Sequence, residues 1–131
     1  MYIEELLDHY KNPRNHGELE NPHIKIFDTN PLCGDEVEIH AEITDNKIKK
    51  IKFIGKGCAI SKASTSMMTE DFQEKSIQEI MHIPDDMILK RLGVPISAMR
   101  IKCALLGFKT LQKGIIKFKA QEENNGTRIK N

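Results

Sequence analysis

No excess of charge marks this chain: 20 Lys and Arg stand against 19 Asp and Glu in 131 residues, a formal net charge of +1. That balance exerts no global pull toward nucleic acid or an anionic membrane surface, so neither is expected as a partner. No apolar run is long enough to span a bilayer. The opening Met1-Tyr2-Ile3-Glu4-Glu5-Leu6-Leu7-Asp8 has neither the basic start nor the apolar stretch of a secretory signal. The expected location is therefore the cytoplasm. Cysteine is scarce and odd in number, three in all. In a reducing compartment that argues against a disulfide framework and leaves metal binding, catalysis or plain burial. The five histidines, His9, His16, His23, His40 and His82, show no paired spacing of the two-histidine zinc type, and none is expected to be a ligand. Repeats and low-complexity linkers are also missing. The length fits one domain, residues 1–120, with a polar tail at 121–131 that is expected to fray.

What is present reads as a short helix, a small sheet and then more helices. Ile3, Leu6, Leu7 and Tyr10 recur at helical spacing, and Asn12-Pro13-Arg14-Asn15-His16-Gly17 stops that helix. Three strands are expected at 23–29, 36–44 and 48–54. The middle one carries Val37, Ile39, Ala41 and Ile43 in strict alternation, which leaves His40 on its polar, exposed side. Asp45-Asn46-Lys47 makes a tight turn, so the sheet is an antiparallel meander with one buried face. From Ala59 the period becomes helical, and Met67 and Met68 continue an apolar stripe that belongs to the core. Short helices follow at 76–81 and 85–92, and a last helix of about four turns carries Leu105, Phe108, Leu111, Ile115 and Phe118. The fold class is α+β, a small three-stranded antiparallel sheet packed against several helices. Lys47, Lys49, Lys50 and Lys52 suit a solvated sheet edge that resists further strand pairing.

The three cysteines sit where this layout changes direction. Cys33, in Pro-Leu-Cys-Gly-Asp, lies in the loop between the first two strands, two residues before Asp35. Cys58, in Gly-Lys-Gly-Cys-Ala, and Cys103, in Arg-Ile-Lys-Cys-Ala, each precede a helix. A helix N-terminus offers free amide donors and partial positive charge, both of which favour thiolate over thiol. If the fold gathers them, three thiolates and one carboxylate make four ligands for a soft or borderline metal ion. A single free cysteine is often just a small buried hydrophobe, and Gly-Asp is ordinary turn chemistry. Three cysteines at element junctions are harder to explain that way, because junctions are where ligands concentrate. Lys56 beside Cys58 and Lys102 beside Cys103 are either solvated or thiolate-stabilising.

Asn30-Pro31-Leu32-Cys33-Gly34-Asp35, Gly55-Lys56-Gly57-Cys58-Ala59-Ile60-Ser61 and Arg100-Ile101-Lys102-Cys103-Ala104 together resemble the IscU/SufU/NifU-type iron–sulfur cluster assembly scaffolds. The opening Asp8-His9-Tyr10-Lys11-Asn12-Pro13-Arg14-Asn15 is similar to that family too, and the match runs in order from Leu6 to Gly114. The resemblance implies that Cys33, Asp35, Cys58 and Cys103 bind the metal and cluster, a two-iron, two-sulfur cluster or Zn²⁺. It implies a cysteine desulfurase as sulfur donor, an iron donor, apo acceptor proteins as recipients, and a monomer or homodimer. Lys102 stands where the IscU branch has a histidine, and protonated lysine is a poor ligand. The motifs look more like the SufU branch, without that branch's insertion between the second and third cysteines. The chaperone-docking motif of the IscU branch is replaced by Gly93-Val94-Pro95-Ile96-Ser97.

Two functions follow from the resemblance, and both use the same residues. One is a scaffold that assembles a cluster on the three cysteines, with Asp35 as a labile auxiliary ligand. The other is a zinc-dependent sulfur acceptor of the SufU kind that stimulates a desulfurase, with Cys103 taking the sulfur. A purely structural zinc module is a third reading.

Overall fold

The computed structural model describes the backbone of residues 2–130 and the side chains of 3–124. The elements run α1 (Tyr2–Lys11), β1 (Ile24–Asn30), β2 (Asp35–Thr44), β3 (Lys47–Lys56), α2 (Ala59–Asp71), α3 (Ile77–His82) and α4 (Asp85–Arg91). A 3₁₀ turn (Ala98–Arg100) then leads into α5 (Ile101–Lys130). The strands form one antiparallel sheet in the order β1-β2-β3.

Alternation along β2 works as its sequence demands: Val37, Ile39, Ala41 and Ile43 are buried and meet Ile24 of β1 and Ile48, Ile51 and Phe53 of β3 in one core. Asp45 and Asn46 close the β2–β3 hairpin with φ of 53° and 61°. Asp and Asn tolerate this left-handed region better than other residues with a Cβ. The outer edge of β3 is partly covered: Gly17 N–H donates to Phe53 O at 2.9 Å and Ile48 N–H to Lys75 O at 3.0 Å. The lysines beside it are exposed apart from Lys52, which is half-buried.

Helix α5 lies across the buried face of the sheet and places Phe108, Leu111 and Ile115 in the core. It comes so close that a Cβ on Gly114 would sit 2.6 Å from Ile24 Cγ2. The helix is far longer than four turns, because the polar residues that follow Phe118 are mostly good helix formers. It also starts earlier than expected, so Cys103 lies within its first turn rather than before it. Of the tail expected at 121–131, residues 121–124 are exposed helix, and the remaining side chains lie outside the described residues. Met67 and Met68 are buried in α2, as an apolar stripe requires.

A small buried network docks α1 onto α2. Arg14 N–H donates to Ser66 Oγ at 2.8 Å, which leaves the Ser66 hydroxyl proton for His9 Nδ1, 2.7 Å away. Asp8 accepts from both Asn12 and Arg14. The opening motif therefore closes the end of α1 over α2. Burial, first, and the nearby Arg14 charge hold the His9 pKa below its ordinary value, so the ring is neutral where it accepts from Ser66.

His40 corrects the alternation reading: it is buried, not exposed. The segment ahead of β1 reaches this face, where Leu19 N–H donates to His40 Nδ1 at 3.1 Å. A polar position on a strand is exposed only where no other segment lies over it.

Candidate metal and sulfur site

Four segments build the site. The β1–β2 connection is a tight loop in which Cys33 N–H donates to Asn30 O at 3.1 Å. Pro31 suits that turn, and Gly34 takes the φ of +71° that lets the chain enter β2. Asp35 is the first residue of β2 and is fully buried. Cys58 is the N-cap of α2 and its own side chain makes no capping bond. Instead Cys58 N–H donates to Asp35 Oδ1 at 3.0 Å. Gly57 permits this approach, since a Cβ there would lie 2.3 Å from Asp35 Oδ1, and its φ is +154°. Cys103 comes from the first turn of α5 and has no exposed surface.

The sulfurs of Cys33 and Cys103 and a carboxylate oxygen of Asp35 lie within 4.8 Å of one another. Access to the thiols is graded: Cys33 is exposed, Cys58 half-buried and Cys103 buried. Asp35 Oδ2 is, among the described residues, the one buried side-chain polar atom without a hydrogen-bond partner. An unpaired buried acceptor costs at least about 1–3 kcal/mol. Burial, first, and then the neighbouring Asp35, Cys33 and Cys58 push the Cys103 thiol well above the usual cysteine range. Cys103 thus keeps its proton more firmly than an ordinary cysteine, and a cation placed beside its sulfur would reverse that preference. The donor set, thiols with one carboxylate, suits zinc or iron.

Of the four residues expected to gather, Cys33, Asp35 and Cys103 bring their donor atoms together. The Cys58 thiol falls outside the 4.8 Å group. It remains close enough for its charge to be the largest influence raising the Arg100 pKa, ahead of that of Cys103. Arg100 is thus a permanent cation set against two of the three thiols. It is an element of the site that the residue-by-residue reading did not single out. The signal was there in Arg100-Ile101-Lys102-Cys103, because a spacing of three on a helix stacks one side chain over the other. Asn30 was missed as well: its Nδ2 donates to Cys103 Sγ at 3.5 Å. Lys56 and Lys102 are exposed, and Lys56 pairs with Glu36 at 3.1 Å.

A second group, Glu18, Glu38 and His40, also brings donor atoms within 4.8 Å. Its hydrogen bonds oppose a metal there. Because His40 Nδ1 accepts from Leu19 N–H, the ring proton sits on Nε2, facing Glu38 Oε2 at 2.8 Å. That nitrogen is the one a metal facing the two glutamates would need unprotonated.

The fold and the gathered donors define a small α+β protein with a thiol–carboxylate group able to hold a metal ion. The chain belongs to the family of the NifU-like N-terminal domain, whose family model matches residues 1–125. Among curated proteins it is 37% identical over 134 residues to the zinc-dependent sulfurtransferase SufU of Bacillus subtilis, covering 89% of this chain and 90% of the relative. It is 35% identical over 118 residues to the iron–sulfur cluster assembly scaffold protein IscU 1 of Archaeoglobus fulgidus, covering 90% of this chain and 76% of the relative. Among solved structures it is similar to a candidate iron–sulfur cluster assembly scaffold for the SUF system from Fervidobacterium islandicum AW-1. That match has a TM-score of 0.77 at 35% identity and covers 86% of this chain and 94% of the other.

Proposed function

We propose that this protein is an iron–sulfur cluster assembly scaffold. It takes sulfur from a cysteine desulfurase and iron from a donor, and builds a two-iron, two-sulfur cluster on Cys33, Cys58 and Cys103 with Asp35 as auxiliary ligand. The cluster, cargo rather than a resident group, then passes to apo acceptor proteins. The observation that carries this reading is the meeting of Cys33, Asp35 and Cys103, remote in sequence, within 4.8 Å. Family membership and the IscU relatives support it. In this role the chain is a carrier, not a catalyst.

The same residues can receive the sulfur. A Cys33 thiolate attacks the outer sulfur of a persulfide presented by the desulfurase; a new S–S bond forms to Cys33, the old one breaks, and the donor cysteine leaves as thiolate. No net oxidation is needed. The resemblance pointed to Cys103 as acceptor, but Cys103 has no exposed surface and Cys33 is exposed, so access favours Cys33. Arg100 lies near the other two thiols, Cys58 and Cys103, and adds positive charge on that side of the site.

The alternative, a zinc-dependent sulfur acceptor, is favoured by two observations: the likeness to the Bacillus subtilis sulfurtransferase, and Lys102 in place of a histidine ligand. Cys33, Asp35, Cys58 and Cys103 would hold Zn²⁺, which would supply the positive charge that keeps these thiols deprotonated. Iron, zinc and acid-labile sulfide measured in protein purified without oxygen separate the readings. A chromophore with iron and sulfide supports the scaffold; stoichiometric zinc, no stable cluster and zinc-dependent stimulation of a desulfurase support the acceptor. In the scaffold, Asp35→Ala lengthens the life of a reconstituted cluster, and faster loss counts against a labile carboxylate.

A further inference from the structure

We infer that Asn30 makes the two gathered cysteines chemically unequal, holding Cys103 as a fixed anchor and leaving Cys33 as the sulfur that can move. The inference rests on the reading of Cys33 and Cys103 as metal ligands. Asn30 ends β1, opposite Asp35 in the register of the sheet, and is only 7% exposed. It acts on both thiols at once. Its side-chain Nδ2 donates to Cys103 Sγ at 3.5 Å, while its main-chain carbonyl accepts from Cys33 N–H at 3.1 Å. The first contact grips a sulfur; the second grips only the backbone of the other residue. Among the described residues, Cys103 is the thiol that accepts from a side-chain amide.

An N–H···S bond draws on a sulfur lone pair, so a thiolate that accepts one gives less electron density to a metal and is the weaker nucleophile. It is also held in place. Cys103 combines that bond with complete burial, whereas Cys33 sits exposed on a short loop. A site that must both retain a metal and present one sulfur to a partner needs this division. Asn30 is therefore a positioning residue. A side-chain amide that merely fills space would leave the electronic state of Cys103 untouched.

The test uses the full chain loaded with Co²⁺ without oxygen, comparing the wild type with Asn30→Asp and Asn30→Ala. Asn30→Asp keeps the side-chain shape but removes the amide donor. The wild type should show sulfur-to-cobalt charge transfer, and both variants should keep the tetrahedral d–d bands while the charge-transfer band moves to lower energy. An unshifted band in Asn30→Asp overturns the inference. A variant that fails to fold does not end the matter, because the wild type loaded with ¹¹³Cd²⁺ gives a direct reading by NMR. The Asn30 side-chain amide protons should couple to cadmium through the sulfur and exchange slowly with solvent; uncoupled, fast-exchanging protons overturn it. Absence of any sulfur-to-cobalt band in the wild type would instead bring down the metal-site reading itself, and the inference with it.

Discussion

Gly57→Ala offers a direct measure of how tightly the fold holds Asp35. An alanine Cβ would lie 2.3 Å from Asp35 Oδ1 and 2.9 Å from its Cγ, so the carboxylate must move. Moving it breaks the 3.0 Å bond from Cys58 N–H, a loss of about 1.5–3 kcal/mol for a bond to a charged group. Forcing a residue with a Cβ to the Gly57 φ of +154°, a region essentially reserved for glycine, adds about 1–3 kcal/mol. The sum is roughly 2.5–6 kcal/mol, which corresponds to a fall in Tm of about 10–25 °C for a domain of this size. Gly34→Ala is the control. Gly34 also has positive φ, +71°, but a Cβ there meets nothing within 4 Å. It should cost only the conformational part, about 1–2 kcal/mol. Urea unfolding of the metal-free proteins gives both numbers, and competition with a chelator shows whether Gly57→Ala also releases metal faster. Equal destabilisation by the two substitutions, or unchanged metal retention in Gly57→Ala, would refute the claim that Gly57 exists to admit the Asp35 carboxylate.

Alkylation of the folded, metal-free protein by a small reagent, followed by mass spectrometry, should label Cys33 first, Cys58 more slowly and Cys103 only on unfolding; labelling of Cys103 at the rate of Cys33 contradicts the graded access. Stability should fall as pH drops below about 6.5, the ordinary histidine value, because His9 is held neutral in the native state and the unfolded chain takes up its proton first. The loss should end once pH passes below the lowered native pKa, and His9→Asn should flatten this part of the unfolding free energy measured against pH; an unchanged slope removes His9 as its source.

The sheet was legible because its signals are local. Strict alternation from Val37 to Ile43 fixed the buried face of β2, and Asp45-Asn46 fixed the hairpin. Glycine, proline and cysteine at the junctions marked the site, and three of the four expected ligands meet there. What escaped the sequence depends on distant segments. His40 reads as solvent-facing from its strand alone, but Leu19, 21 residues earlier in the chain, bonds to its ring. The donor from Asn30 to Cys103 joins β1 to α5, and no periodicity reports such a contact. The true start and length of α5 were hidden because polar helix formers read as a tail when no apolar face requires them to pack. Cys58 was expected as a full member of the ligand group because sequence gives the residue but not the direction in which its sulfur points.

Asp35 reaches the thiols only because β2 pairs in one alignment, with Asn30 opposite Asp35 and Glu36 opposite Lys56. Side chains alternate between the two faces of a strand, so a slip by one residue would turn the carboxylate outward and leave Gly34 or Glu36 in its place. A cation that requires Asp35 thus discriminates among alternative pairings of the sheet, and loading the site proofreads the fold.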